Sequence, residues 1–482
     1  MRAVRVKHRR AKSTAPARAA SVTDGSSPRP PAQRRRWFRL AALALPLVIL
    51  VLAELGLRLA GYGYPTSLFL RREIAGRDVF INNPDFTRRF FPPGLARTPE
   101  VLTFPVAKPA GVTRVFVFGE SAAMGDPERA YGLSRMLRVL LDARFPGRRF
   151  EVINVAITAI NSHVIREIAR DCAGKQGDVW VIYMGHNEVV GPFGAGTVFG
   201  DRVPPRPIIR AQRALKRTRI GQAIDELKGR LLRRADAPRT WGGMEMFLKQ
   251  QVRQDDPRMP AVYQNFASNL RDIAQLGLDS GARVVVSSVA ANLKDCPPFA
   301  SEHWPGITAA QLAEWEQWVQ AGVTNEAAGR CADALGFYEK ATRLDDSFAE
   351  LQFRLGRCLL AIGRDEDAQV AFAKARDLDA LRFRADEPIQ EAAVQVAREL
   401  APRGVRFVDG AGALRRGRAD QAGFRGGALQ SRTDTGKAGS RRRGAGGVCR
   451  GGAAQAGVRR RPFQSWRGAG KSRTFPRGRG GV

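Results

Sequence analysis

The chain has 482 residues, of which 44% are hydrophobic, so it is long enough for two or three domains and apolar enough to bury a core. Its formal net charge of +33 lies mainly at the ends: residues 1–39 carry a net +11 and residues 411–482 a net +16, which leaves +6 for residues 40–410. This near-neutral middle excludes a large polyanion-binding surface on the folded body, and no specific nucleic-acid partner is expected.

Both ends of the chain are poor in apolar residues and rich in arginine, glycine, alanine, serine or proline. Such segments cannot bury enough surface to offset the entropy lost on ordering. We therefore predict that residues 1–39 and 410–482 are disordered. Binding of nucleic acid through these basic ends is one hypothesis for the function, ranked below the two given at the end of this section, and we expect such binding to be non-specific.

Residues 40–60 read LAALALPLVILVLAELGLRLA, in which Glu54 and Arg58 are the only charged residues. As a helix this segment would span roughly 30 Å, the thickness of a bilayer core, so we predict an uncleaved transmembrane anchor. A cleaved signal peptide is the alternative. Arginines directly upstream predict a cytoplasmic tail at 1–39, with the body outside a cell (inner) membrane.

Short apolar runs alternate with helical spacing through the body of the chain, after a linker or edge segment at 61–111. The runs are RVFVFG, FEVINVAI, DVWVIYMG, RVVVSSVA and, close to the end of the body, VRFVD. Such alternation is typical of a parallel sheet with helices on both faces, and five strands suit a flavodoxin-like, three-layer α/β fold. We assign residues 112–300 and 386–409 to this domain, with a flap or insertion at about 191–260.

A pattern of nine residues recurs at a spacing of 34 between the fourth and fifth strands. Its first copy is Gly322, Gly329, Arg330, Ala334, Tyr338, Lys340, Ala341, Leu344 and Asp345, and its second is Gly356, Gly363, Arg364, Ala368, Phe372, Lys374, Ala375, Leu378 and Asp379. Thirty-four is the tetratricopeptide period, so we predict an inserted tetratricopeptide pair at 301–385. The alternative is an ordinary pair of helical hairpins. Two repeats would need support from the α/β body.

The first strand ends in GESAAMG, which puts Ser121 at the carboxyl edge of the sheet, where the next helix begins. A helix N-cap is the alternative role for such a serine. The second strand brings Asn154 and Ala156 to the same edge, and the third brings Gly185 and Asn187.

Together these residues resemble the SGNH (GDSL-like) hydrolase family over about residues 112–190. The resemblance implies that Ser121 is the catalytic nucleophile and that the oxyanion hole is formed by Ser121, Ala156 and Asn187. It implies ester hydrolysis or acyl transfer on an ester-bearing envelope or extracellular substrate, with no cofactor and no metal. The candidate substrate contacts are Gly185, His186, Asn154 and His163.

The family's catalytic Asp-x-x-His is expected after the fifth strand, but no histidine and no glutamate follow Asp409. His163 and His186 could approach the serine as a base, or they could be loop or substrate-contacting residues. We interpret residues 410–482 as an out-of-frame or otherwise altered C-terminus. An enzyme with this sequence is then expected to have impaired activity, because the catalytic Asp-x-x-His is absent.

A second hypothesis, from a different class, is a non-catalytic membrane-anchored scaffold that binds a protein or peptide partner through the repeats. The five cysteines are few and odd in number, and no two of them form a C-x-x-C pair. The sequence therefore predicts neither a zinc site nor a disulfide framework. One bridge is compatible with the predicted location, and its pairing stays open.

Overall fold

The computed structural model of this chain describes residues 32–200, 202–231 and 240–410. The chain divides into two units, Met1–Ala422 and Gly423–Val482, and the second lies wholly outside the described residues. Most of the predicted basic tail at 1–39 and all but the first residue of that at 410–482 also fall outside them.

A small antiparallel sheet lies in the segment predicted as a linker or edge. It consists of β1 (Phe69–Ile74), β2 (Arg77–Asn82) and β3 (Thr103–Pro105), in the order β1-β2-β3. The ring of Phe104 on β3 meets the ring of Phe116 edge-on, with the centroids 6.1 Å apart. This aromatic contact joins the small sheet to the apolar core of the main one.

The central sheet has five parallel strands in the order β5-β4-β6-β7-β8. They are β4 (Val112–Gly119), β5 (Arg149–Asn154), β6 (Val179–Tyr183), β7 (Arg283–Ser287) and β8 (Arg406–Val408). On β4 the consecutive residues 115–118 are all buried, as expected for a strand covered on both faces. The parallel α/β architecture is present, and the strand order is that of a flavodoxin-like sheet.

Twelve α-helices accompany these strands within the described residues. They are α1 (Ala32–Leu59), α2 (Ser121–Met124), α3 (Leu133–Arg144), α4 (Ser162–Cys172), α5 (Arg206–Leu215), α6 (Arg219–Leu231), α7 (Met259–Asp279), α8 (Ala309–Ala327), α9 (Cys331–Leu344), α10 (Ala349–Ala361), α11 (Asp365–Asp377) and α12 (Glu387–Leu400). Helix α7 packs against both α4 and α12. Gly277 lets it approach the sheet closely, because a Cβ there would lie 2.8 Å from the Trp180 ring.

The predicted transmembrane anchor at 40–60 is wrong. Helix α1 covers this segment, but no helix within the described ranges is both long enough and apolar enough to cross a membrane. The uninterrupted apolar part, 40–53, is shorter than the roughly 20 residues that a span requires. The Glu54 carboxylate that follows accepts hydrogen bonds from Arg58 Nε (2.8 Å) and from the Ile220 N–H of α6 (3.0 Å). The transmembrane part of the predicted fold class and the predicted single-pass location in the inner membrane are corrected with it.

Helices α8 to α11 form two hairpins between β7 and β8, and the same contact occurs in each. A Cβ on Gly322 of α8 would lie 2.3 Å from the Tyr338 ring of α9, and one on Gly356 of α10 would lie 2.7 Å from the Phe372 ring of α11. These four residues are the glycine and aromatic positions of the 34-residue pattern. The sequence repeat therefore corresponds to a repeated close approach of two helices.

Replacing Gly356 with alanine is expected to lower the free energy of unfolding by about 1–3 kcal/mol, because the added methyl group must displace the buried Phe372 ring. Gly336→Ala on α9 is the matched control, since no heavy atom lies within 4 Å of a Cβ there. Alanine is the better helix former, so this control should gain about 0.5–1 kcal/mol. Urea unfolding followed by circular dichroism measures both. Equal effects of the two substitutions would contradict the packing described here.

Candidate active site

Ser121 lies at the carboxyl end of the central strand, where β4 ends at Gly119 and α2 begins. It is half-buried, and among the described residues its hydroxyl has no hydrogen-bond partner. The turn is tight, because a Cβ on Gly119 would lie 2.2 Å from the Tyr183 carbonyl oxygen and 2.4 Å from the Ala123 Cβ. Only glycine at this position allows the serine to follow the strand so closely.

Glu120, between these two residues, is 1% exposed and was not singled out from the sequence. Its carboxylate accepts the N–H of His186 (2.9 Å) and that of Gly185 (3.2 Å). It thereby joins the turn after β4 to the turn after β6. Glu120 could have been identified from the sequence, because it is an acidic residue placed between the glycine that ends a buried strand and the serine.

A second buried carboxyl group, that of Glu188, interacts with Glu120. Burial, followed by the charge of Glu188, raises the pKa of Glu120 to about 8, although backbone N–H groups oppose the shift. Burial likewise raises the pKa of Glu188 to about 7, against hydrogen bonds from the Ser162 N–H (2.8 Å) and hydroxyl (2.7 Å). Because two buried like charges repel, protons are retained in this pair near neutral pH.

Ala156, one of the predicted oxyanion donors, lies beside the serine turn. It packs with Ala123 and Met124 in a small buried cluster. Its N–H donates to the side-chain oxygen of Asn154 (3.2 Å). In this structure the Ala156 N–H is therefore not available to an oxyanion. Asn154 in turn donates its amide to the Glu100 carboxylate (2.9 Å) and to the Met124 carbonyl (3.3 Å). Asn154, which was predicted as a substrate contact, thus stabilises the serine turn after β4.

Asn187 lies in the turn after β6, directly beyond the two N–H groups that Glu120 binds. Its side chain is 7% exposed and donates to the Ile160 carbonyl (3.0 Å). A primary amide carries two hydrogens, so one bond to Ile160 leaves the second for a ligand. Gly185 has a φ of 142°, a conformation that favours glycine, and it gives this turn its shape.

Neither histidine of the α/β domain is hydrogen-bonded to Ser121. His186 Nδ1 accepts the Ala385 N–H (3.3 Å), and burial, with the charge of Arg384, lowers its pKa to about 4. His163 Nδ1 lies 2.9 Å from Asn269 Nδ2, and burial lowers its pKa well below the usual value. Both rings are therefore neutral at neutral pH and engaged elsewhere.

The other described histidine, His303, is not hydrogen-bonded to the serine. His303 pairs with Asp345 beside the helical hairpins, with Nδ1 2.8 Å from the carboxylate, and His8 falls outside the described residues. Within the described part of the chain, no group of three or more His, Cys, Asp or Glu side chains could hold a metal ion.

No protein-family model matches the sequence, and no curated protein matches it. Five chains of solved structures resemble part of this chain, among them the following two. The crystal structure of TesA is 15% identical with a TM-score of 0.20, and the match covers 36% of this chain and 59% of that one. A mutant of the esterase AlinE4 is 13% identical with a TM-score of 0.18, covering 37% and 77%. At these values the two likenesses carry no argument about fold or activity.

Proposed function

We propose that this chain carries an SGNH-type serine hydrolase site for ester hydrolysis or acyl transfer, with Ser121 as the nucleophile. One arrangement supports this most directly: Glu120 ties the serine turn after β4 to the turn after β6 that carries Asn187. Parallel strands β5, β4 and β6 end at the same edge, which is where ligands bind in open α/β sheets.

The oxyanion donors that we assign are the Ser121 N–H and the second amide hydrogen of Asn187. The Ala156 N–H would join them only after leaving Asn154, to which it is bonded now. Donors held in place before the reaction stabilise the charge that develops on an acyl carbonyl oxygen, and losing one typically costs about 10²–10³ in rate.

The missing part of the site is its base. A serine hydroxyl needs a neighbouring base to become a nucleophile at neutral pH, and among the described residues no base is hydrogen-bonded to the Ser121 hydroxyl. We therefore expect weak catalysis, on the order of 10³–10⁴ over water, which is the level that triad enzymes retain after losing a triad member. The ester-bearing substrate itself stays unidentified.

A fluorophosphonate probe tests this site because the rate at which it labels a serine reports how nucleophilic that serine is. We expect slow labelling of the unsubstituted chain and loss of the label in Ser121→Ala. Ser288→Ala is the matched control, since Ser288 follows β7 at the same sheet edge and its hydroxyl donates to Asp409 (3.0 Å). Added imidazole, which can replace an absent base, should speed labelling at Ser121 alone. Labelling that survives Ser121→Ala would assign the reactivity to another residue.

The helices α8 to α11 are assigned here as two tetratricopeptide-like repeats inserted between β7 and β8. The 34-residue period and the glycine-to-aromatic contact in each hairpin support this assignment. A scaffold that binds a protein or peptide through these repeats is the second candidate function. Among the described residues no histidine is hydrogen-bonded to Ser121, which favours this second function, and a complete failure of the probe to label the chain would make it the better explanation.

A further inference from the structure

The turn after β6 is hydrogen-bonded to the segment that joins β5 to α4. The Asn187 amide donates to the Ile160 carbonyl (3.0 Å), and the Glu188 carboxylate accepts the Ser162 N–H (2.8 Å) and hydroxyl (2.7 Å). All four of these residues are buried. Ile160 lies two positions before Ser162, which is the first residue of α4. Two consecutive residues of the β6 turn therefore bind the same short stretch of chain.

A further hydrogen bond between the same two segments runs in the opposite direction. The Asn161 amide donates to the Pro192 carbonyl (2.8 Å). Gly191 allows this close approach, because a Cβ at that position would lie 2.9 Å from the Asn161 Cβ. Each of the residues 160–162 is thus bonded to a residue within 187–192.

Asn269 of α7 completes the hydrogen bonding of Ser162. Its amide donates to the Ser162 hydroxyl oxygen (3.0 Å), and its own side-chain oxygen accepts Arg206 Nε (3.4 Å). Because the Ser162 oxygen accepts a hydrogen from Asn269, its own hydrogen goes to Glu188. The donors form a chain that ends on the Glu188 carboxylate, and hydrogen bonds in such a chain strengthen one another.

We propose that Glu188 is a positioning residue that holds the Asn187 amide as an oxyanion donor. By fixing Ser162, Glu188 fixes the Ile160 carbonyl two residues earlier, and this carbonyl holds one hydrogen of the Asn187 amide. Since the amide group is planar, the direction of its second hydrogen is then set as well, as a preorganised donor requires. This role rests on the proposed function, in which that second hydrogen binds the oxyanion formed at Ser121.

Hydrogen exchange of the Asn187 side chain tests this role without any need for activity. The full-length chain is labelled with [15N]asparagine, and the Asn187 amide is assigned by its loss from the NMR spectrum of Asn187→Ala. We expect Glu188→Ala to speed exchange of the hydrogen bonded to Ile160 by about tenfold or more, because the carbonyl is no longer held. Glu188→Gln should keep most of the protection, since its amide can accept the Ser162 N–H and donate to the hydroxyl oxygen.

Glu151→Ala is the matched control for the loss of a hydrogen-bonded carboxylate. Glu151 accepts Arg114 Nε (2.6 Å) near the amino ends of β5 and β4, at the opposite end of these strands from the serine. This control should leave exchange at Asn187 unchanged. Ser162→Ala removes only the hydroxyl bond and keeps the N–H bond, so it should give an intermediate loss of protection, and it serves as the test if Glu188→Ala does not fold.

Labelling of Ser121 by the fluorophosphonate separates positioning from a general need for the fold. Asn187→Ala should slow labelling by about 10²–10³, the usual effect of losing one oxyanion donor, and Glu188→Ala by no more than that. The double variant should be no slower than Asn187→Ala, because Glu188 acts through the Asn187 amide, whereas independent effects would multiply.

The outcomes distinguish this role from the proposed function on which it rests. Unchanged exchange at Asn187 in both Glu188→Ala and Ser162→Ala, or independent effects in the double variant, would overturn the role of Glu188 and leave the hydrolase site standing. A chain that is never labelled would overturn the hydrolase site and with it the positioning role, even if the exchange results are as expected.

Discussion

Glu120→Ala is expected to lower the free energy of unfolding by about 2–6 kcal/mol and to abolish any labelling at Ser121 by a fluorophosphonate. The substitution leaves the Gly185 and His186 N–H groups buried without an acceptor, at about 1–3 kcal/mol each. Relief of the repulsion from Glu188 does not offset this cost, since the raised pKa already keeps Glu120 largely protonated near neutral pH. Urea unfolding and probe labelling measure the two effects.

Glu120→Gln is the matched control for this prediction, because it keeps a carbonyl oxygen that can accept a backbone N–H. We expect it to cost less than about 1 kcal/mol and to keep Ser121 reactive toward the probe. If the alanine and glutamine variants were equally stable, the carboxylate would not be what holds the two turns together.

The glutamine variant also tests the protonation of Glu120. A carboxyl group whose pKa is raised in the folded state, here from 4.5 to about 8, binds more protons when folded than when unfolded. Its contribution to stability is complete below about pH 4.5 and is lost as the pH rises through about 8. Glu120→Gln should therefore lose less stability between pH 5 and 8.5 than the unsubstituted chain. An unchanged pH profile would assign the titration to another group.

Gly119→Val is expected to destabilise the α/β domain by about 3 kcal/mol or more and to eliminate reactivity at Ser121. The new Cβ would meet the Tyr183 carbonyl oxygen at 2.2 Å and the Ala123 Cβ at 2.4 Å. Neither is the flexible end of a long side chain, so the strand end itself has to move. Because Gly119 pairs with Tyr183 across β4 and β6, this movement would also displace the serine turn.

Gly174→Ala is the control for this steric prediction, since no heavy atom lies within 4 Å of a Cβ at that position, just beyond the end of α4. We expect a change in the free energy of unfolding within about 0.5 kcal/mol and unchanged labelling of Ser121. A Gly119→Val variant as stable and as reactive as this control would show that the turn after β4 tolerates a side chain.

The local patterns in the sequence predicted much of the fold. Alternating apolar runs predicted the parallel strands because a strand covered on both faces must be apolar along its length. The GESAAMG segment predicted a serine at the carboxyl edge, since a strand that ends in glycine leads directly into the next turn. The 34-residue pattern predicted where two helices approach closely, as the contact of Gly356 with Phe372 illustrates.

The tertiary structure decided what depends on neighbours distant in sequence. The apolar segment at 40–60 suggested a membrane anchor, but hydropathy does not reveal that Glu54 binds the backbone of Ile220. The hydrogen bonds between Glu120 and the turn after β6 form only because β4 and β6 are adjacent in the sheet.

The sequence by itself therefore determined the alternation of strands and helices in the α/β domain and the position of Ser121 after β4, because these follow from the pattern of apolar residues and glycines along the chain. Only the tertiary structure decided which hydrogens are already bonded and which carboxyl groups share protons. Those properties depend on burial and on distances between residues that are far apart in the sequence.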